Sequence, residues 1–291
     1  MPALRRSPLA RRSAVAVLGA AALLALSACS GTASSPAASS SGPASASGPA
    51  ALQTVAAGKL TVATGQPAYS PWVEDDQPQS GKGFESAVTY AVAKQLGYAK
   101  SDVVWVRSSF DSAVTPGAKP WDLNIQQFSI TADREKAVDF SSPYYTTTQA
   151  VVTTKGSKAE GVTTLAGLKD LRIGVATGTT SYTVVNAEVG QPRVFNSVDD
   201  AVQALKTKQV DAVVTDLPGA FYIAGAQLDD GVVTGQFAST AGGDRFAFVL
   251  PKGSALTAPV SAAVDAITKS GELKRITDKW LSSEVDVPVL T

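Results

Sequence analysis

The feature that most constrains the fold of this sequence is an alternation of strand-like and helix-like segments that starts near Lys59. Short apolar runs predict β-strands over 60–63, 103–106, 171–176, 210–215 and 246–250. Apolar residues at helical spacing predict helices over 85–96, 200–206, 258–269 and 271–282, and a further helix after Thr180. Strands that alternate with helices indicate parallel α/β sheets, and the length of this region fits two lobes.

A short segment with the sequence SITADR, residues 129–134, is a candidate anion site. Thr131 is predicted to cap a helix, which puts Arg134 at the positive end of the helix dipole at a cost of roughly a few tenths of a kcal/mol. An external anion would offset that cost, because the guanidinium fork matches a carboxylate and the Ser129 hydroxyl adds a donor. The alternative is a salt bridge from Arg134 to a nearby acid such as Asp139.

Two further segments follow predicted strands, where ligands of open α/β proteins bind. The sequence TGTTS at 177–181 offers a glycine for close backbone approach and the N–H groups of a helix start, without the pattern of a phosphate loop. Asp216 follows the strand at 210–215, and its carboxylate suits an ammonium group. The alternatives are structural: a threonine N-cap in the first segment and a cap for the turn at 217–219 in the second.

Four aromatic residues near predicted strand ends could wall a pocket by stacking on a ligand: Tyr69, Trp72, Phe110 and Trp121. Core packing is the stronger expectation for Trp72 and Trp121. Tyr69 lies between two prolines in a predicted loop, so core packing is a weaker expectation there.

Residues 1–28 have the layout of a secretory signal peptide. A basic start with four arginines precedes an apolar run over 14–28, which is too short to span a bilayer as a permanent helix. Cys29, the only cysteine of the chain, follows directly behind Leu-Ser-Ala. Residues 29–57 consist almost entirely of Ala, Ser, Gly, Pro and Thr, and we expect them to form a flexible linker.

Charge and composition argue against several classes of function. Removal of residues 1–28 would leave 21 basic and 25 acidic residues, a net charge of about −4 that argues against a nucleic-acid partner. The chain has no histidine, and it has no cysteine besides Cys29. We therefore predict no histidine- or cysteine-based catalysis, no metal site, no cofactor and no structural disulfide.

From about residue 59 to 281 the chain resembles the amino-acid-binding solute-binding proteins of ABC transporters, family 3, which have the type II periplasmic-binding-protein fold. The resemblance rests on PAYSPW at 67–72, GFE at 83–85, Asp122, SIT at 129–131 with Arg134, VDFSSPYY at 138–145, GV at 174–175 with GTT at 178–180, VDAV at 210–213 with Asp216, and GEL at 271–273 with Ile276, Lys279 and Trp280. The stretch that ends at Cys29 resembles a bacterial lipoprotein lipobox.

The resemblance implies roles for the site residues. Arg134 would clamp the α-carboxylate of an amino-acid-like ligand, and Asp216 would take its α-ammonium group. Further implied contacts are hydrogen bonds from Ser129, from the backbone near Gln127 and from Thr179 and Thr180, and packing of the ligand side chain on Tyr69 and Phe110.

Two departures from the family pattern bear on the ligand. Relatives that bind cationic side chains often carry an acid where this chain has Gln66, which lowers the expectation of a cationic ligand. Gln126 and Gln127 replace small residues, and they would either bind a polar side chain or narrow the pocket.

The resemblance also implies how the chain is organised. One lobe would comprise 58–147 and 241–291 and the other 148–240, with crossovers near 146–150 and 239–244 that act as a hinge. Cys29 would become the lipidated N-terminus and hold a monomeric receptor on the outer face of the cytoplasmic membrane. There it would deliver its ligand to an ABC permease.

Two other functions stay open from the sequence, although we expect a binding protein and no enzyme. An enzyme on the same fold, similar to prephenate or arogenate dehydratases, would need an acid that expels water, such as Asp216 or Glu85. The lack of histidine and of an evident acid pair gives that hypothesis little support. A sensor that binds the same ligand would have to signal through a membrane partner.

Overall fold

The chain builds two five-stranded sheets, as seen in a computed structural model that describes residues 52–238, 243–281 and 287–291. Residues 1–28, Cys29 and most of the linker predicted at 29–57 lie outside the described residues. No helix in the described ranges has the length and the apolar character needed to cross a membrane.

The first sheet has the strand order β2-β1-β3-β12-β4. Its strands are β1 (Leu60–Thr64), β2 (Val103–Arg107), β3 (Leu123–Asn124), β4 (Val138–Phe140) and β12 (Val249–Pro251). β1 pairs in parallel with β2 and β3, whereas β12 is antiparallel to both β3 and β4. β1 is buried along its whole length, which explains its continuous apolar run.

Three long helices accompany the first sheet and share its core: α1 (Phe84–Gln95), α8 (Thr257–Lys269) and α9 (Glu272–Trp280). Two short helices, α2 (Phe110–Val114) and α3 (Ala132–Glu135), lie in its loops. The core contains the apolar stripe that the sequence predicts for α1, with Phe84, Val88 and Val92 fully buried. Burial of such side chains contributes about 1.5–3 kcal/mol each.

The second sheet has the strand order β10-β6-β9-β7-β8. Its strands are β6 (Gln149–Thr154), β7 (Ile173–Ala176), β8 (Arg193–Phe195), β9 (Ala212–Asp216) and β10 (Gly231–Gln236). β7 is parallel to β8 and β9, and β6 is antiparallel to β9 and β10. The accompanying helices are α4 (Leu165–Leu168), α5 (Thr180–Glu188), α6 (Val198–Lys206) and α7 (Leu217–Tyr222), with a π-helical turn at Ile223–Gln227.

A two-stranded ribbon connects the segments that belong to the two sheets. β5 (Tyr145–Thr147) and β11 (Asp244–Phe246) pair antiparallel, so that Asp244 lies opposite Thr147. The ribbon falls where the sequence predicts crossovers, at 146–150 and 239–244, although 239–242 are outside the described residues. The lobe boundaries at 147/148 and 240/241 stay a prediction.

The chain returns to the second sheet once more after α9. Residues 287–291 lie along the end of β10, where Gln236 donates its N–H to the Pro288 carbonyl at 2.9 Å and accepts from the Leu290 N–H at 2.8 Å. The Leu290 side chain is buried in the second sheet's core. The segment therefore packs on the second sheet, whereas α9 packs with the first.

The predicted alternation of strands and helices is confirmed, and most predicted bounds agree with the structure to within two residues. The single strand predicted over 246–250 is wrong, because β11 ends and β12 begins with Ala247 and Phe248 between them. The N–H of Ala247 donates to the Phe128 carbonyl and that of Phe248 to Ser141 Oγ, both at 3.1 Å. These partners lie outside both sheet ladders, so the chain changes sheets there.

Candidate ligand-binding site

A cavity of about 570 Å³ is lined by residues of both sheets. Its walls come mainly from the segments that follow β1, β2 and β3 in the first sheet and β7, β8 and β9 in the second. The carboxyl ends of parallel strands meet at one edge of a sheet, so the cavity lies where open α/β sheets bind ligands. Its volume suits a small molecule.

Arg134 reaches this cavity from α3, whose first turn forms as the sequence predicts: Thr131 Oγ1 accepts the Arg134 N–H at 3.2 Å. The guanidinium donates to the Ser129 carbonyl at 2.7 Å and to the Gly178 carbonyl, in the second sheet's loop, at 2.9 Å. It also lies over the Phe110 ring, 5.1 Å from the centroid. Arg134 is therefore held by neutral groups that leave its charge uncompensated.

The alternative partner for Arg134, Asp139, is ruled out by the geometry. Asp139 instead forms a salt bridge with Lys252 at 3.0 Å. Among the described residues, no carboxylate lies within salt-bridge distance of Arg134. Burial lowers the pKa of Arg134, and the more distant charges of Asp216 and Asp244 oppose that shift. A half-buried guanidinium without a directly bonded acid favours an incoming anion.

The segment at 177–181 forms the N-terminus of α5. Thr179 is its N-cap: Oγ1 accepts the Tyr182 N–H at 3.2 Å and donates to the Ala176 carbonyl at 2.8 Å. The structural alternative for this threonine is thus observed, and its hydroxyl is occupied. Thr180 Oγ1 lies 3.4 Å from Ser129 Oγ, so hydroxyl groups of the two sheets meet across the cavity.

Asp216 is the last residue of β9 and lines the cavity. Its side chain makes no capping bond to the following turn; Gln149 Nε2 instead donates to Asp216 Oδ1 at 2.6 Å. Burial and then the nearby charge of Asp244 raise the pKa of Asp216 to about 7, while Gln149 and Arg134 act in the opposite direction. An ammonium group beside Asp216 would favour its ionised form.

Gln149 and Asp244 form a layer behind the cavity wall. The Gln149 amide that bonds Asp216 also donates to Asp244 Oδ2, and Thr180 Oγ1 donates to the same oxygen at 3.0 Å. Sequence reasoning missed both residues, because it searched the loops after strands and these two lie in or beside the ribbon strands. The only sequence signal for Gln149 is its position at the start of the strand that begins within the predicted crossover.

Core packing of the two tryptophans, which the sequence predicts, is confirmed. Trp121 and Trp72 are 2% and 4% exposed and pack in apolar clusters, although Trp72 also touches the cavity wall. Tyr69 and Phe110 both line the cavity. Phe110 stacks on Phe128 with the ring centroids 4.7 Å apart, which fixes the face that it presents.

Gln66 and Gln127 also line the cavity. Gln127 has a positive φ of 50°, and its backbone N–H donates to Glu85 Oε1 at 2.7 Å, so that N–H is occupied by the protein itself. The Gln127 side-chain amide bonds the other oxygen of Glu85, and the Tyr144 hydroxyl donates to Oε1 at 2.5 Å. Glu85 is fully buried, and burial raises its pKa to about 7.

The wall contributed by α6 was not predicted. Asp199, in the first turn of α6, lines the cavity together with Asn196 and Gln227. The Tyr69 hydroxyl bonds Asp199 Oδ2 across the cavity, and Gln227 Nε2 donates to Oδ1 at 3.3 Å. The sequence predicts no strand over 193–195 and a helix that begins only at Asp200, so Asp199 carried no strand-end signal.

Metal binding finds no support in the part of the chain that the structure describes. No three His, Cys, Asp or Glu residues come together there as ligands of one ion.

Comparisons with known proteins identify the family of this chain. The model of the bacterial extracellular solute-binding proteins, family 3, matches residues 60–283. The L-arginine-binding protein of Pseudomonas aeruginosa is 29% identical over 258 residues, which cover 80% of this chain and 92% of that relative.

Two solved structures are similar over most of the described chain. One is an ancestral arginine-binding protein bound to arginine, with 29% identity, a TM-score of 0.62 and coverage of 77% of this chain and 98% of that one. The other is the ancestral amino acid-binding protein AncCDT-1, a precursor of cyclohexadienyl dehydratase, with 29% identity, a TM-score of 0.62 and coverage of 77% and 95%.

The fold class and the family resemblance stated from the sequence are both confirmed. The match covers the two sheets and the cavity that they line. The chain belongs to the bacterial extracellular solute-binding proteins, family 3.

Proposed function

We propose that the chain is the receptor of an ABC importer and binds an α-amino acid in the cavity between its sheets. The observation that carries the proposal is the placement of Arg134 and Asp216, which bring a guanidinium and a carboxylate to one cavity from different sheets. An α-amino acid carries one charge of each sign on a single carbon, so it can bind both groups at once.

The ligand carboxylate would bind at Arg134. Two of its five N–H donors are spent on backbone carbonyls, which leaves donors for a carboxylate. Ser129 Oγ and the free N–H groups at the start of α5 add further donors. The Thr179 hydroxyl donates to the Ala176 carbonyl and the Thr180 hydroxyl to Asp244 Oδ2, so both threonines would contribute through their backbone N–H groups.

The ligand ammonium would bind at Asp216. Gln149 occupies Oδ1, so Oδ2 can accept from the ammonium group. The ligand side chain would then extend between Tyr69 and Phe110, with Gln66 and Gln127 farther along the wall. The names of the relatives support the ligand class, since they describe proteins that bind amino acids, arginine among them.

We further propose that residues 1–28 are removed and that a lipid on Cys29 anchors a monomeric receptor to the outer face of the membrane, with 29–57 as the linker. The order of charge, apolar run, small residues and cysteine supports this. A Cys29→Ala variant expressed in a bacterial host should take up no labelled fatty acid, and persistent labelling would contradict the proposal.

We propose binding without turnover, although one similar solved structure is described as a precursor of a dehydratase. Glu85 is one of the two acids suggested for such an activity, but it is fully buried and lies outside the cavity wall. Incubation with prephenate and arogenate, followed by chromatography, should show no product. Formation of phenylpyruvate or phenylalanine would contradict the proposal.

The central test is a thermal-shift screen of residues 57–291 against the proteinogenic amino acids, with Arg134→Ala as the variant. A ligand at a hundredfold excess over Kd stabilises the native state by about 2.7 kcal/mol, so binding raises the melting temperature. Arg134→Ala should abolish the shift. Lys136→Ala is the matched control, because Lys136 is an exposed cation next to the same short helix. Unchanged binding in Arg134→Ala would refute the carboxylate clamp.

A further inference from the structure

The wall of the cavity formed by the start of α6 and the π-helical turn at Ile223–Gln227 carries hydrogen-bond acceptors that a ligand can use. Asp199 lies there, half-buried, with one oxygen bonded by the Tyr69 hydroxyl and the other by Gln227 Nε2. A carboxylate has about four lone-pair sites, so two remain for a ligand. This wall belongs to the second sheet, whereas Gln66, at the position implied to bind a cationic side chain, belongs to the first.

Two amide oxygens add to this acceptor set. Gln227 Oε1 and Gln126 Oε1 are buried and have no hydrogen-bond partner among the described residues, and both side chains line the cavity. Leaving such an acceptor unpaired costs about 1–3 kcal/mol, so a ligand that donates to it gains that energy back. The complementary ligand group is therefore rich in N–H donors.

The charges of the cavity indicate that this group is a cation. The arginine and acidic residues in its wall are Arg107, Asp111, Arg134, Asp199 and Asp216. Arg107 is neutralised by Asp76 at 2.5 Å, and an amino acid's own carboxylate and ammonium would neutralise Arg134 and Asp216. Asp199 and Asp111 remain, and neither has a salt-bridge partner within the described ranges.

We infer that Asp199 determines specificity, by binding a cationic, donor-rich group at the end of the ligand side chain, such as a guanidinium, with Gln227 Oε1 as a second acceptor. The inference rests on the proposed function, because it takes the ligand's α-carboxylate and α-ammonium to be held at Arg134 and Asp216. The acid that recognises the ligand side chain would thus lie in the first turn of α6, and not in the first loop, where this chain has Gln66. The two glutamine oxygens and the uncompensated carboxylate carry it together.

The test compares L-arginine with L-citrulline, in which a neutral ureido group replaces the guanidinium at the same chain length. By isothermal titration calorimetry, the unaltered protein should bind L-arginine roughly 10- to 100-fold more tightly, as expected for hydrogen bonds to a charged group. Asp199→Asn should reduce this preference to less than about threefold. Asp200→Asn is the matched control, since Asp200 is the next residue of the same helical turn, is exposed and does not line the cavity.

A second variant tests the acceptor independently of charge. Gln227→Met keeps about the size of the side chain and removes both its oxygen and the N–H that donates to Asp199, with no change of charge, so it should weaken L-arginine and L-citrulline by similar factors. An unaltered protein that binds the two ligands equally, or a preference that survives Asp199→Asn, would overturn the inference while leaving the amino-acid receptor intact. If no amino acid binds, or if binding survives Arg134→Ala, the proposed function itself fails and the inference falls with it.

Discussion

At the scale of single residues, the site is built around acids whose protonation depends on their surroundings. Burial raises the pKa of both Asp216 and Glu85 to about 7, yet the two acids do different things. Asp216 faces the cavity, and Glu85 lies behind it and holds Gln127 in a left-handed conformation. Titration of Asp216 should therefore change ligand affinity, and titration of Glu85 should change the free energy of unfolding.

Affinity for a zwitterionic amino acid should rise with pH below neutrality, because the ammonium group needs the ionised form of Asp216. With a pKa of about 7, Kd should fall by on the order of tenfold per pH unit between pH 5 and 7 and level off above. Calorimetry at these pH values on the unaltered protein and on Asp216→Asn checks this. The variant should bind weakly with a flat profile, and an equally steep profile in the variant would assign the titration to another group.

Stability should fall over the same pH range on account of Glu85. Its pKa is about 4.5 when unperturbed and about 7 in the fold, so between these values the native state holds a proton that the unfolded chain has lost. The free energy of unfolding must then decrease as pH rises, by about 3 kcal/mol at most. Urea denaturation at pH 4.5 to 8 should show that Glu85→Gln removes this part of the slope.

Glu135→Gln serves as the control for Glu85→Gln, because Glu135 is exposed. Asp216 contributes a slope of the same sign, so the informative quantity is the difference between variant and unaltered protein. A slope that Glu85→Gln leaves intact would contradict the role given to Glu85.

At the scale of elements, the start of α1 shows why a glycine stands in the GFE motif at 83–85. Gly83 has a φ of 97°, and a Cβ there would lie 2.5 Å from the Trp72 carbonyl oxygen. The close approach lets Phe84 and Glu85 donate their N–H groups to the Pro71 and Trp72 carbonyls. The glycine therefore fixes the loop that carries Tyr69 against the helix that carries Glu85.

Gly83→Ala should lower the free energy of unfolding by about 3 kcal/mol or more, because conformational strain and a backbone clash add. Gly253→Ala is the control: Gly253 also has a positive φ, of 74°, but a Cβ there meets nothing within 4 Å. It should cost only the strain, about 1–2 kcal/mol. Chemical denaturation measures both, and equal losses would refute the role of the close contact.

The limits of prediction from the sequence are also clearest at the scale of elements. Arg134 and Asp216 could be predicted because a helix cap and a strand end are local signals. Asp199 and Asp244 could not, since their importance depends on which residues of distant segments meet them. The strand predicted at 246–250 failed for the same reason, because its hydrogen bonds go to partners more than 100 residues away in the chain.

At the scale of the whole molecule, direct bonds hold the two sheets' loops together across the cavity. Arg134 donates to the Gly178 carbonyl, and the Tyr69 hydroxyl bonds Asp199. Burial, and then the carboxylate of Asp199, keep the pKa of Tyr69 above its usual range, so the hydroxyl stays a donor at any physiological pH. We expect these contacts to favour a closed arrangement of the two sheets around the ribbon of β5 and β11.

Tyr69→Phe should therefore shift the ligand-free protein towards an open form, because it removes a bond across the cavity and keeps the aromatic ring. Small-angle scattering should show a larger radius of gyration for the variant without ligand. Tyr182→Phe is the control, since Tyr182 is 38% exposed and lies outside the cavity wall. Identical scattering from all three proteins would show that this bond does not bias the equilibrium.

The return of the chain to β10 has a consequence for how this protein behaves in a crowded solution. β10 is the edge strand of the second sheet, and an unprotected edge offers N–H and C=O groups to which a strand of another molecule can add. Residues 287–291 occupy the backbone of Gln236 on both sides and pack Leu290 against Gly235, so the molecule covers the end of its own edge. The segment thus leaves the Gln236 end of β10 without free backbone groups to which a strand of another molecule could add.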